Sequence, residues 1–234
     1  ETIKECVQNK DAIITIVGYP KDVEEVYLSE DGIINSASQN SYLIDMTTTT
    51  PTLSIKIHEE AKKKNLKALD APVSGGDIGA KNATLSIMVG GEKEDFEACK
   101  KLFEAMGKTI VYTGNAGSGQ HTKMANQIAI AGVMAGVSEA IAYGKKMGLD
   151  IPTMLASISN GAAQSFHLTN NAPKMYKREF EPGFYIKHMV KDLKIANEEM
   201  PNLKVLKDVL EIYEALEKNG DGDLGTQAIC KYYE

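Results

Sequence analysis

The chain has 234 residues, 43% of them hydrophobic, enough apolar material for one large or two small domains with a real core. A net charge of −6 and a pI near 5.4 argue against a nucleic-acid surface or an anionic membrane as partner. The three cysteines, Cys6, Cys99 and Cys230, are too far apart for a metal pattern or a disulfide framework, so a cytoplasmic setting is expected.

In chain order, the β-branched run at 12–17 reads as a buried strand of a parallel sheet, ended by Gly18-Tyr19-Pro20. A short helix follows over 21–28, then a second strand at 42–46. The run Thr47–Thr50 before Pro51 reads as a helix cap, opening a helix over 52–64 with an apolar stripe and a lysine-rich end. Further strands are predicted at 67–73, 85–89 and 109–112, with a helix near 93–106. This alternation means an α/β half with a mostly parallel sheet. Beyond Gly119 only helices are predicted, over 120–147, 152–160, 165–176, 187–199, 202–218 and 224–233. The expected domains are therefore 1–116, α/β, and 117–234, all-α. No run of about 20 apolar residues is read as a membrane span. No signal peptide is read, and Glu1-Thr-Ile-Lys looks like the interior of a longer chain.

In the long helix, Gly132, Gly136, Ala140 and Gly144 recur every four residues. Lys123 falls about 180° away on the helical wheel, at roughly 100° per residue. The stripe is expected to pack in the subunit core, leaving oligomer contacts to neighbouring helices. Lys123, Asn126 and Gln127 share a helical face. An ammonium beside two amides can serve one carbonyl or hydroxyl oxygen, and a desolvated lysine can shuttle a proton; the same spacing also fits a solvated helix start. Ser74-Gly75-Gly76, at a strand end, can form a nest of N–H donors for an anion, or be an ordinary turn. Lys191 by itself reads as a surface ion-pair residue. The scattered histidines, His58, His121, His167 and His188, offer no metal-ligand spacing, so no metal is expected. Arg178 is the single arginine among 26 basic residues, which excludes an arginine cluster as the anion clamp.

Five segments in order then carry a resemblance. They are Leu43-Ile-Asp-Met-Thr-Thr48, Asp70-Ala-Pro-Val-Ser-Gly-Gly76, Thr84-Leu-Ser-Ile-Met-Val-Gly-Gly91, Gly119-Gln-His-Thr-Lys-Met-Ala-Asn-Gln127 and Met189-Val-Lys-Asp-Leu193. Over nearly its whole length the chain resembles the β-hydroxyacid dehydrogenase family, which includes 3-hydroxyisobutyrate dehydrogenase, tartronate semialdehyde reductase and, more distantly, 6-phosphogluconate dehydrogenase. The resemblance implies a Rossmann-type domain, a helical domain, and hydride transfer between NAD or NADP and a small 3-hydroxy acid or semialdehyde acid. It gives Lys123 the role of catalytic lysine and places Asn126 beside the substrate. Gln127 stands where many members have a second Asn. Ser74, Gly75 and Gly76 match the substrate-carboxylate loop. Tyr19, Pro20 and Thr48 match cofactor contacts, Lys191 a lysine reaching substrate and cofactor, and Asp192 its structural companion. A homo-oligomer, dimer or tetramer, is implied, with a small carboxylic acid as ligand.

Departures accompany the match. The family's first strand and its glycine-rich diphosphate loop do not precede residue 12, so strand 12–17 is expected to be an uncovered sheet edge. Asp223-Leu-Gly-Thr-Gln-Ala stands in place of the usual D-x-S-A, which allows a different acid. The alternative is a truncated, non-catalytic binding or oligomerisation module derived from this family.

Overall fold

The structure, a computed structural model, describes residues 2–234. It divides into two compact units, one running to Met124 and the other from Ala125 to Glu234.

The first unit holds α1 (Ile3–Val7), β1 (Ala12–Thr15), α2 (Pro20–Leu28), α3 (Ile33–Ser36), β2 (Tyr42–Asp45), α4 (Pro51–Lys63), β3 (Lys67–Asp70), β4 (Val73–Ser74), α5 (Gly76–Lys81), β5 (Leu85–Gly90), α6 (Lys93–Glu104), β6 (Gly107–Gly114) and the start of α7 (Ser118–Lys146). β1, β2 and β3 are parallel neighbours, in register Thr15–Asp45–Asp70. β5 runs antiparallel to β3 and β4 and parallel to β6. The sheet is thus mixed. Pro72 splits the predicted strand 67–73 in two, because it cannot donate to a ladder. The first strand stops at Thr15, two residues short of its β-branched run.

Alternating side chains feed two apolar layers. Ile13, Leu43 and Ala68 join Val23, Tyr27, Ile57 and Ala61, contributed by α2 and α4. Ile44, Leu69, Ile87 and Val89 pack with Phe96, Cys99 and Phe103 of α6. The expected cap is present: Thr50 Oγ1 accepts the Leu53 N–H at 3.2 Å, with Pro51 in the first turn. Among the described residues β1 pairs only with β2, and Ile14 and Ile16 are exposed, so it is the sheet edge the sequence implied.

The second unit contains the rest of α7, then α8 (Ile151–Ile158), α9 (Phe166–Asn170), α10 (Ala172–Lys177), α11 (Ile186–Glu199) and α12 (Lys204–Leu216). Its core draws on Met134, Ile141, Met175, Ile186, Met189, Leu193 and Tyr213, all fully buried. The predicted helix 165–176 breaks at Asn171, which ends α9 and precedes α10 with Pro173 in its first turn. The predicted helix 224–233 is a 3-10 helix, Thr226–Tyr233. By length and composition α7 is apolar enough to cross a membrane, contrary to the sequence reading. Its Gln120, Lys123 and Gln127 are nevertheless buried within the protein.

The small-residue stripe is not a core feature. Gly136 is exposed, with nothing within 4 Å of where a Cβ would lie, and Gly132 would meet only Val205, at 3.9 Å. Gly144 alone is closely covered, its absent Cβ lying 2.7 Å from Met154 Sδ and 2.9 Å from Ile151 Cδ1. The helical wheel groups residues by face but does not say which stretch of a face is covered. Gly144→Leu should therefore cost about 1–3 kcal/mol by overpacking. Gly136→Leu should be neutral or stabilising by up to about 1 kcal/mol, because its site is open and leucine is the better helix former. Urea unfolding of the two variants checks this; equal losses would restore the buried stripe.

Candidate active site

In the first unit, polar groups collect where β1, β2 and β3 end. Asp45 and Asp70 are cross-strand neighbours, and both are buried. Asp45 Oδ1 accepts the Thr47 N–H at 3.0 Å. The Thr47 hydroxyl accepts the Val17 N–H at 3.0 Å, joining the loop after β1 to the loop after β2. Tyr27 donates its hydroxyl to Thr15 Oγ1 at 2.9 Å; burial first, then the Asp45 charge, raise its pKa.

Asp70 anchors the start of α7. Its carboxylate accepts the Gly117 N–H at 2.8 Å on one oxygen and the Gln120 N–H at 3.0 Å on the other. An anion at the N-terminus of a 29-residue helix is favoured by the orphan donors and the dipole there. Burial raises the Asp70 pKa, against the pull of the backbone N–H groups of Gly117, Gln120 and Gly119. Two glycines make the approach possible. A Cβ on Gly90 would lie 2.6 Å from Asp70 Oδ1, and one on Gly119 would lie 2.5 Å from Met88 O and 2.7 Å from Asp70 Oδ2. Gln120 itself is wholly buried. Its Nε2 donates to Thr47 O at 2.8 Å, while its Oε1 accepts the Thr49 N–H at 3.1 Å.

Lys123 sits one turn further along α7 and is only 5% exposed. Thr48, between the two residues held by Gln120, is half-buried. Tyr19 and Pro20 open α2, where the Tyr19 N–H donates to Asp22 Oδ2 at 2.9 Å. Ser74 closes β4, paired with Ser86 of β5. Gly75 and Gly76 have φ of +131° and +63° and are exposed. Consecutive positive φ values make glycine the residue of choice here, as a nest of N–H groups requires.

In the second unit, Asn126, Gln127, Lys191 and Asp192 form one chain of contacts. Asp192 is fully buried, 3.1 Å from Lys191 Nζ through Oδ1. Its Oδ2 accepts Gln127 Nε2 at 2.7 Å, and Gln127 Oε1 accepts Asn126 Nδ2 at 2.8 Å. A carboxylate beside a lysine only accepts, so it fixes the Gln127 amide and, through it, the Asn126 amide. His188, three residues before Lys191, has its pKa lowered by burial first and by the Lys191 charge next.

Asp70, Gln120 and the fixing role of Asp192 went unread in the sequence. The hint available was a polar residue one turn before Lys123. Asp223-Leu-Gly-Thr-Gln-Ala proves structural in part: Gln227 is buried and donates to Glu179 O and Glu181 O, both at 3.0 Å. The string Gly220-Asp-Gly-Asp-Leu-Gly225 matches a dinucleotide fingerprint by letters alone. It follows α12 and precedes a 3-10 helix, whereas a diphosphate loop joins a strand to a helix. Arg178 pairs with Glu234, so the one arginine is engaged at the chain end. Among the described residues no group of His, Cys, Asp and Glu could hold a metal ion.

Residues 1–114 match the NAD binding domain of 6-phosphogluconate dehydrogenase, and residues 117–233 the NAD-binding domain of NADP-dependent 3-hydroxyisobutyrate dehydrogenase. The chain is 55% identical over 240 residues to an uncharacterized oxidoreductase of Bacillus subtilis, YkwC, spanning 100% of this chain and 82% of that protein. It is 35% identical over 238 residues to 2-hydroxy-3-oxopropionate reductase of Escherichia coli, again spanning 100% and 82%. Among solved structures, 3-hydroxyisobutyrate dehydrogenase of Mycobacterium tuberculosis, studied with L-serine, is similar with a TM-score of 0.89 and 27% identity, covering 97% of this chain and 81% of that one.

Proposed function

Because the chain belongs to the β-hydroxyacid dehydrogenase family and is one of its NAD(P)-dependent oxidoreductases, we propose that it interconverts a small 3-hydroxy acid and its semialdehyde acid, of the 3-hydroxyisobutyrate or tartronate semialdehyde class. The observation that carries this reading is a 5% exposed lysine, Lys123, on a helix anchored at the carboxyl ends of parallel strands. Such strand ends are where α/β sheets take their ligands.

The residues present fit the nicotinamide end of a cofactor. Tyr19, Pro20 and Thr48 are half-buried in two loops that the Thr47 hydroxyl ties together, and they would form its contact surface. A bound nicotinamide supplies or takes the hydride. As charge develops on the substrate oxygen in reduction, Lys123 stabilises it and gives it a proton; in oxidation it takes the hydroxyl proton. Asn126, oriented through Gln127 and Asp192, lines up the hydroxyl. Ser74 and the Gly75 and Gly76 backbone hold the carboxylate, and Lys191 adds a positive charge.

Steady-state assays with NAD+ and NADP+ test this on a panel of small 3-hydroxy acids and their methyl esters. Turnover of at least one acid, with its ester at least about tenfold poorer, is the expected result; one such factor of ten is about 1.4 kcal/mol. Equal turnover of acid and ester, or none of either, would remove the assignment. Gly75→Val serves as the matching variant. A β-branched residue at φ +131° is strained, and its Cβ would come 3.3 Å from Leu85 Cδ2. KM for the acid should rise about tenfold or more while that for the cofactor barely moves. Equal rises in both would mean that the loop is only a turn.

A further inference from the structure

We propose that Gln120 is a positioning residue that locks the cofactor-side loop Thr47–Thr50 to the helix carrying Lys123. The proposal rests on the roles given above to Thr48 and Lys123. Its observation is separate: the side chain is wholly buried and makes two hydrogen bonds to one stretch of backbone.

A carboxamide that donates to the carbonyl of residue 47 and accepts from the N–H of residue 49 does what an adjoining β-strand would do. Gln120 thus continues the pairing of β2 beyond its last strand residue, Asp45, with a side chain in place of a strand. The orientation of the amide follows from its partners, since Thr47 O can only accept and the Thr49 N–H can only donate. Thr48 lies between the two fixed points. The backbone of Gln120 is fixed as well, through its N–H on Asp70 Oδ2 at 3.0 Å. The hold passes on through the Thr47 hydroxyl to Val17, two residues before Tyr19. Lys123 and the loop are therefore set against each other by direct bonds within one unit.

Residue type matters here. Asparagine is one methylene too short to reach both partners. Methionine fills the space and makes neither bond. Ionised glutamate would face Thr47 O with an acceptor, while protonated glutamate would restore the donor and acceptor pair. Misplacement of a reacting group by about 1 Å can cost about 100-fold in rate, so loosening this link should show in kcat.

The experiment compares Gln120→Met, Gln120→Glu and Lys123→Ala with the parent. Hydrogen exchange of the peptide spanning 47–50, in cofactor-free protein, should speed up about tenfold or more in Gln120→Met. In the same variant kcat should fall about 10- to 100-fold and cofactor affinity by calorimetry should weaken, with KM for the acid little changed. Gln120→Glu should recover both loop protection and kcat as pH falls, a signature that a mere space-filling role would not produce. Lys123→Ala should lose turnover yet keep the loop protected. That arm separates the two ideas: an active Lys123→Ala removes the catalytic reading and leaves the exchange result to judge the lock. Unchanged exchange in Gln120→Met, or faster exchange with kcat and cofactor affinity intact, would overturn the proposal. If Gln120→Met does not fold, Gln120→Glu at the acid end of its profile decides, and absence of recovery there counts against the proposal.

Discussion

Lys123→Ala should lower kcat by a factor of about 100 or more, the usual worth of a positioned acid/base group. That factor corresponds to about 2.7 kcal/mol of transition-state stabilisation. The fold should survive, because the helix that presents Lys123 is held from its N-terminus by Asp70 and Gln120, and neither bond involves the lysine side chain. Lys123→Arg should rescue little. A planar guanidinium does not give up its proton near neutral pH and does not fit the space of a compact ammonium. Steady-state kinetics beside thermal unfolding decides the matter. Near-parent turnover in a folded Lys123→Ala protein would take the lysine out of the mechanism.

Asp70→Ala should be the most damaging change to stability, costing about 2–4 kcal/mol. The carboxylate satisfies two buried N–H donors, and losing a partner leaves each at a penalty of about 1–3 kcal/mol. The loss of an anion at the head of α7 adds to this. Asp70→Asn keeps the shape but turns an NH2 group toward one of the two donors, so it should fall between parent and Asp70→Ala. The pH dependence has a definite sign. Burial raises the folded-state pKa above the ordinary 3.8, so Asp70's titration favours the fold fully below 3.8 and that contribution is lost as pH rises through the folded value. Acid unfolding of the parent should therefore not be driven by Asp70. Urea unfolding at several pH values reads both effects; a loss under about 0.5 kcal/mol for Asp70→Ala, the range of an ordinary surface change, would mean that the helix is anchored elsewhere.

The α/β and helical halves were legible because β-branched runs and apolar helical spacing report burial directly, as in Ile13 to Thr15 and in the body of α7. Helical spacing alone puts Lys123, Asn126 and Gln127 on one face, while the roles proposed for them come from the resemblance. Asp70 and Gln120 were not. Their partners are backbone atoms of residues 47 to 73 positions away, and a backbone N–H or C=O carries no residue identity that a sequence could display. The mostly parallel pairing was as read, but the antiparallel course of β5 against β3 and β4 was not, since an apolar strand reads alike whether its neighbour runs parallel or antiparallel. The small-residue stripe failed on coverage: Gly136 and Gly144 share a face, but only the second has α8 against it.

The approach of α7 to the sheet through Gly90, Gly119 and Asp70 has an evolutionary consequence. Each glycine is needed because the Asp70 carboxylate or main-chain atoms already occupy the place of its Cβ. No single substitution at 90 or 119 can be absorbed by a rotamer change, because main-chain atoms are among those in the way. The three positions should therefore behave as one heritable unit. Drift at any of them would have to pass through an intermediate in which the helix that carries Lys123 is displaced, whereas a Cβ at Gly136 would meet nothing within 4 Å.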